Sequence, residues 1–347
     1  MSALKAFRDG VRRVNGAPML VIGVTLMTLL TALPLSLALR GMIEDHLGRS
    51  LAADAAADGT NHEWWQEFGA QASGLGQTFV PSIVGFGAVL DNLSGFLDNA
   101  AMAPTIAGVT IAWLVIWSFL SGGILDRLAR ARRTRAHGFF SACGVHFWRF
   151  LRIGLFAWLI YAFLFGYVHS WIFDDIYGRL TRDLTVERTA FFIRAAGYLV
   201  FGLLLVFVNV IVDYARIRTV VEDRRSAIGA IAAGARFVRR HPGGVVALYL
   251  WNAIAFALLV ALYGFLQPGA PGSGAWMWLA LLTGQLYILG RHYLKLVFYA
   301  SQTAFFQSAL AHAAYTAAPP VVWPDSPAAE TIGNFDSMSM PPTADNA

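Results

Sequence analysis

The sequence predicts an all-α polytopic membrane protein, with six transmembrane helices arranged as three repeated hairpins, each preceded by an amphipathic helix at the cytoplasmic interface. Two observations predict this class. Of the 347 residues, 57% are hydrophobic and only 14% are charged, whereas soluble domains are roughly one quarter charged. Apolar runs long enough to cross a bilayer, about 20 residues each, also recur along the chain. This composition excludes an ordinary soluble fold.

The membrane domain is expected over residues 1–316. Its six predicted spans cover about residues 18–39, 105–125, 154–173, 190–212, 245–266 and 275–289. A long extracytoplasmic insertion, residues 40–104, separates the first two spans, and a further surface helix is expected after Lys295. Residues 317–347 are rich in Pro, Ser and acidic side chains, which predicts a disordered cytoplasmic tail.

The placement of basic residues predicts the orientation. Twenty of the 26 Lys and Arg residues lie before the first span or after the second, fourth and sixth spans. Positively charged connections of this kind stay on the cytoplasmic side during insertion. Both termini are therefore expected in the cytoplasm. The strong preference for Arg, with only Lys5 and Lys295 as lysines, indicates a GC-rich bacterial genome and hence the bacterial cytoplasmic (inner) membrane.

Apolar stripes at helical spacing i, i+3, i+7, i+10 indicate an internal repeat. The three stripes are Leu4, Phe7, Val11 and Val14; Phe140, Cys143, Phe147 and Phe150; and Ile228, Ile231, Ala235 and Val238. Each ends four positions before Pro18, Gly154 or Pro242, where a span is predicted to begin. The returning helices finish in "ILDRLARAR", "IVDYARIR" and "ILGRHYLK". These matches predict three parallel units.

The third stripe lies in the basic stretch "VVEDRRSAIGAIAAGARFVRRHPGG", which begins at Val220. We expect this helix to lie in the headgroup layer with its apolar face towards the lipid. The residues expected to contact anionic headgroups are Arg224, Arg225, Arg236, Arg239 and Arg240. A specific phosphate-binding site is the alternative. Nucleic-acid binding is not expected, because topology accounts for the arginines and no aromatic platform accompanies them.

A few polar residues interrupt the predicted spans. Asn209, Asn252 and Gln285 are expected either to form hydrogen bonds between helices or to line a polar pathway. Asp126 and Asp213 end two of the returning helices beside arginines, which predicts local salt bridges there.

Motifs for catalysis or cofactor binding are weak. In "HEWWQE", His62, Glu63 and Glu67 lack the H-E-x-x-H spacing that places two histidines on one helix face. Trp64 and Trp65 are typical of an interfacial aromatic belt, with ligand stacking as the alternative. Cys143 occupies a stripe position and is interpreted as a small hydrophobic side chain. No catalytic residue, metal ligand or cofactor is predicted.

The stretch "DYARIRTVVEDRRSAIGAIAAGARFVRRHPGGVVALYL", residues 213–250, resembles the membrane domain of glycerophosphodiester phosphodiesterases and uncharacterised bacterial six-helix families. The resemblance implies a membrane domain without catalytic residues, since the phosphodiesterase would need a separate soluble barrel. We expect a non-enzymatic integral membrane protein that organises lipid or a partner protein. The alternative is a small-solute transporter or channel with a path between the hairpins. A lipid enzyme would require His62, Glu63 and Glu67 to converge.

Overall fold

The computed structural model describes residues 1–57, 61–80, 85–268 and 274–312, and these ranges contain helices and no strand. The predicted tail, 317–347, lies outside the described residues. The chain divides into two units, Met1–Phe305 and Phe306–Ala347. Of the second unit, the structure describes the last turns of a helix that ends at His312.

Twelve α-helices follow one another in the described ranges. They are α1 (Ala3–Asn15), α2 (Pro18–Leu47), α3 (Ala53–Ala57), α4 (His62–Gln71), α5 (Gly85–Leu97), α6 (Pro104–Arg130), α7 (Ala136–Phe163), α8 (Tyr177–Thr181), α9 (Glu187–Val221), α10 (Ala227–Arg240), α11 (Pro242–Leu266) and α12 (Ala275–His312). A short 3₁₀ helix, Gly76–Thr78, lies in the predicted insertion.

Five helices of the described residues are long and apolar enough to cross a membrane. They are α2, α6, α9, α11 and the continuous helix Ala136–Thr181, which begins with α7 and ends with α8. The fold is therefore that of an all-α polytopic membrane protein. The sixth predicted span, 275–289, falls within α12, which is not one of these five helices.

No helix boundary lies at Gly154, because α7 runs unbroken from Ala136 to Phe163. Pro18 and Pro242 do begin new helices, α2 and α11, at the first helical position. Proline cannot donate the hydrogen bond that continues a preceding helix. Gly154 keeps its N–H, and a helix passes through it at a modest free-energy cost, about 1 kcal/mol relative to alanine.

Two π-helical segments, Leu164–Val168 and Trp171–Ile176, widen the helix between α7 and α8. They face a small apolar core formed with Phe201 and Leu205 of α9. The ring centroids of Phe165 and Phe201 lie 5.2 Å apart in an edge-to-face contact. The π-helical turns thus set the packing of this span on α9.

The helices α1 and α10 pack against the protein through small residues. A Cβ at Gly234 of α10 would lie 2.9 Å from the Ile211 carbonyl oxygen of α9, and one at Gly10 of α1 would lie 2.8 Å from the Ser301 nitrogen of α12. By contrast, Ile228, at the start of the predicted stripe on α10, is 66% exposed. The predicted apolar stripe of α10 therefore lies beside the face of α10 that packs on α9, not on that face.

The middle of α12 forms the centre of the first unit's core. Leu296, Val297, Ala300 and Ser301 are fully buried. The expected separate surface helix after Lys295 is therefore wrong: α12 is one helix, and this part of it is covered by α1, α6, α10 and α11. Its central position brings polar residues of several helices together.

Candidate functional site

The segment between α9 and α10 holds the first predicted lipid-contacting arginine in an ion pair. Arg224 donates to the Glu222 carboxylate, which also accepts from Arg218 Nη2 at 2.7 Å. Burial raises the pKa of Glu222, but the hydrogen bonds and charges of the two arginines together hold it below the usual value. Arg224 is therefore paired with a carboxylate of its own connection.

The other predicted headgroup contacts lie at the surface. Arg225, Arg236, Arg239 and Arg240 are all exposed. Arg239 and Arg240 occupy the last turn of α10, where the helix dipole favours cations. These four side chains are accessible to a partner outside the protein.

Asp213 of α9 is the most enclosed carboxylate of the returning helices, with 4% exposure. It accepts hydrogen bonds from the Tyr249 hydroxyl at 2.9 Å and from Gln302 Nε2 at 3.2 Å. The ion pairs among the described residues do not include it. The predicted salt bridge of Asp213 is wrong, because neutral donors of α11 and α12 take the place of the arginines. Asp126 does pair with Arg130, at 2.8 Å.

The residues predicted to line a polar pathway separate into two groups. Asn209 Nδ2 lies 3.4 Å from the Asp213 carboxylate, and Asn252 of α11 donates to Ser301 Oγ at 3.3 Å. Both therefore contact the polar core around α12. Gln285 is exposed on the first half of α12 and lies apart from that core.

A cavity of about 490 Å³ opens beside this polar core, between α2, α6, α11 and α12. Aromatic rings of α6 and α12, including Trp113, Trp117 and Phe298, form much of its wall. The Lys295 ammonium reaches into this wall, 3.9 Å from the ring centroid of Trp117. Asn252, which lines the cavity, is ten residues beyond Pro242, or about 15 Å along α11.

His292 joins α12 to α2 at the edge of the same cavity. It is 6% exposed. Its ring nitrogens lie 3.1 Å from Thr25 Oγ1 and 3.3 Å from Thr28 Oγ1. Both nitrogens thus have partners on one face of α2, and this contact fixes the position of the neighbouring turn that carries Lys295.

A second and larger cavity, about 1080 Å³, lies between α2, α6 and α7. Below we call it the lateral cleft. The first half of α2, from Pro18 to Met27, forms one wall, and Val24 is the only buried residue of α2. Aromatic residues of α6 and α7 form the opposite wall. At the end near the α6–α7 connection, the side chains of Arg127 and Arg133 line it.

Two arginines hold the α1–α2 junction to the end of α6. Arg13 Nη1 donates to the Leu128 carbonyl oxygen at 2.9 Å, and Arg127 Nη2 donates to the Gly16 carbonyl oxygen at 3.1 Å. Both bonds stabilise backbone carbonyls that end a helix or lie beside its end. At the basic end of the lateral cleft, the end of α1 and the end of α6 therefore each donate one hydrogen bond to the other.

The segment between α2 and α6 contains an aromatic cluster. Trp64, 7% exposed, stacks on Phe68 with ring centroids 5.6 Å apart. His62 stacks on Trp65 and Glu67 accepts from Ser50 at 2.8 Å. The described residues contain no group of three histidine, cysteine or acidic side chains arranged to hold a metal ion. His62, Glu63 and Glu67 accordingly do not converge there.

The segment between α2 and α6 is also joined to α9 by hydrogen bonds. The Asp98 carboxylate accepts from Tyr198 and, at 2.9 Å, from Ser94 Oγ. These hydrogen bonds, with the nearby Arg194, lower the pKa of Asp98.

Sequence reasoning singled out Asn252 but not most of the other residues that line the two cavities. The available signal was the helical spacing of His292, Lys295, Tyr299 and Gln302, a polar stripe through an otherwise apolar helix. The aromatic wall and the lateral cleft had no such signal, because they depend on how far α2 stands from α6.

The fold and the two cavities define the class: a multipass helical membrane protein with an apolar cleft at its flank and a polar, aromatic-lined cavity within the bundle. No family model matches the chain, and no curated protein or solved structure matches it either.

Proposed function

We propose that this chain is a non-enzymatic protein of the bacterial inner membrane that binds an anionic phospholipid of the cytoplasmic leaflet in the lateral cleft. The observation that carries the proposal is an apolar cleft of about 1080 Å³ that ends at two arginines. Its volume exceeds the roughly 300–1,000 Å³ of small-molecule sites. An acyl chain would occupy the apolar part, and the phosphate would lie at Arg127 and Arg133.

Six spans with both termini in the cytoplasm complete this proposal. In it, the start of α12 serves as the sixth span, and the basic end of the lateral cleft faces the inner leaflet. The close contact of α1 with α12 at Gly10 parallels that of α10 with α9 at Gly234, which supports three related hairpins. In this arrangement α1, which precedes the first hairpin, packs on α12, the last returning helix.

The charge at the cleft favours an anionic headgroup. Arg127 is 9% exposed and uses Nη2 for the Gly16 carbonyl oxygen, and Arg133 is exposed at the adjoining connection. A guanidinium binds a phosphate through two parallel N–H bonds. Each basic side chain near an anionic surface contributes on the order of 1 kcal/mol of attraction. The exposed Arg225, Arg236, Arg239 and Arg240 add to the same surface charge.

Native mass spectrometry of the detergent-purified chain tests the proposal, with phosphatidylglycerol and phosphatidylcholine added in turn. We expect one phosphatidylglycerol to stay bound under conditions that remove phosphatidylcholine. Arg133→Gln should reduce its retention several-fold. Arg132→Gln is the matched control, because Arg132 is an exposed neighbour that does not line the cleft.

A second pair of variants tests the acyl-chain part of the cleft. Gly23 lines the cleft and a Cβ there would have no heavy atom within 4 Å, so Gly23→Leu fills the cleft without an internal clash. Gly41→Leu, also with open space but away from the cleft, is its control. Retention that is equal in all variants would mean unspecific boundary lipid and would overturn the proposal.

Small-solute transport is the second candidate. The observation that favours it is the polar core around Asp213 and Asn252, since ionisable groups within a membrane domain are costly and usually functional. Saturable uptake into proteoliposomes that Asn252→Leu abolishes and Gln285→Leu preserves would support transport. We favour lipid binding over transport because of the resemblance to the membrane domain of glycerophosphodiester phosphodiesterases.

A further inference from the structure

We infer that the cavity between α2, α6, α11 and α12 is a binding site for a small organic anion with an apolar, preferably aromatic, body. This site is separate from the lateral cleft and does not depend on lipid binding there. Its volume of about 490 Å³ suits a molecule smaller than a phospholipid. The inference rests on the charge of the cavity, its aromatic wall and the fixed position of Lys295.

The cavity carries positive charge without a matching carboxylate. Arg291 and Lys295 line it, and no described acidic side chain does. The buried Asp213 interacts electrostatically with Lys295, but so do Arg216 and Arg291, so three cations face one carboxylate and positive charge is in excess. A carboxylate ligand would supply further counter-charge at Lys295, whose side chain is exposed and whose ammonium lies over the Trp117 ring.

The aromatic wall of the cavity favours a ligand whose body, apart from its carboxylate, is apolar. Trp113, Trp117, Phe256 and Phe298 present ring surfaces to it. Aromatic ligands pack on such rings in offset or edge-to-face geometry. An inorganic anion would leave this apolar surface uncovered, so an aromatic monocarboxylate fits better than phosphate or sulfate.

Neighbouring contacts hold the recognising groups in place. The Lys295 ammonium lies over Trp117 at 3.9 Å from the ring centroid, and the turn of α12 that carries it is fixed by the contacts of His292 with Thr25 and Thr28. On the opposite helix, Asn252 is held by the hydrogen bonds of its amide nitrogen to the Leu248 carbonyl oxygen and to Ser301 Oγ. Such preorganisation lowers the entropy that a ligand loses on binding.

A scintillation proximity assay tests the inference. It measures the binding of radiolabelled benzoate to the detergent-purified full chain. We expect saturable binding that unlabelled benzoate displaces and that benzyl alcohol and inorganic phosphate do not. Lys295→Met keeps the apolar stem and removes the charge, and should weaken binding at least tenfold. Lys295→Arg should restore most of it.

Lys5→Met is the matched control, because Lys5 is the other lysine of the chain and lies exposed on α1. An unchanged melting temperature of Lys295→Met separates loss of binding from loss of folding. Benzoate binding that is absent, or equal in wild type and Lys295→Met, would overturn the inference. Lipid retention measured on the same samples reports on the lateral cleft alone, so either proposal can fail without the other.

Discussion

The Tyr249 hydroxyl donates to the Asp213 carboxylate at 2.9 Å and so joins α11 to α9 inside the bundle. Gln302 of α12 donates to both residues, to the carboxylate at 3.2 Å and to the hydroxyl at 2.8 Å. Three helices thus meet at one carboxylate whose hydrogen bonds come from neutral donors, with the charges of Arg216 and Lys295 acting on it from a greater distance. A buried polar group of this kind stabilises the fold only while its hydrogen bonds are complete.

Removing the Tyr249 hydroxyl should therefore destabilise the protein. We expect Tyr249→Phe to lower the free energy of unfolding by about 1–3 kcal/mol, because it leaves a buried carboxylate with one donor fewer. Tyr293→Phe removes a hydrogen bond to Asn15 at an exposed site and should have little effect. Thermal unfolding in detergent measures both, and equal melting temperatures for the two variants would contradict this role of Tyr249.

The close approach of α10 to α9 predicts the effect of a single added methyl group. In Gly234→Ala the new Cβ would lie 2.9 Å from the Ile211 carbonyl oxygen and 3.0 Å from the Ala215 nitrogen. Backbone atoms cannot rotate away, so we expect a loss of about 1–3 kcal/mol, as for other overpacked cores. Gly202→Ala on α9, where a Cβ meets open space, should be neutral or slightly stabilising. Thermal unfolding of both variants checks the difference, and a tolerated Gly234→Ala would rule out this packing.

The paired Glu222 predicts a loss of stability in acid. Because its pKa in the folded protein is held below the usual 4.5, its contribution is present above pH of about 4.5 and is lost as the pH falls through the folded-state pKa. The melting temperature of Glu222→Gln should consequently fall less than that of the wild type between pH 6 and pH 3. Asp91→Asn, at an exposed carboxylate without an ion pair in the described ranges, should follow the wild-type curve. Parallel curves for all three proteins would show that Glu222 contributes nothing.

Much of the fold follows from the sequence because hydropathy and proline act locally. Pro18 and Pro242 each begin a spanning helix, as predicted, since a missing N–H needs no tertiary context to take effect. Gly154 has no such effect, because a glycine keeps its N–H, and α7 continues through it. The extent of α12 could not be read from hydropathy, since its buried half carries the polar residues Ser301, Gln302 and Thr303.

The candidate sites were harder to predict because they depend on distances between helices. Asn252 stood out as a polar residue in an apolar run, and it does lie at the polar core. The pairing of Asp213 with Tyr249, rather than with a neighbouring arginine, depends on how α11 crosses α9. The lateral cleft depends on the separation of α2 from α6. The sequence of either helix alone does not predict that distance.

Cysteine accessibility on intact cells tests most directly whether the basic end of the lateral cleft meets the cytoplasmic leaflet. The native Cys143 is fully buried and should give no background. Ser73→Cys and Arg225→Cys each add one thiol at an exposed position, the first between α2 and α6 and the second in the α9–α10 connection. We expect a membrane-impermeant maleimide to label Ser73→Cys on intact cells and Arg225→Cys only after permeabilisation. Labelling of Arg225→Cys on intact cells would contradict this expectation.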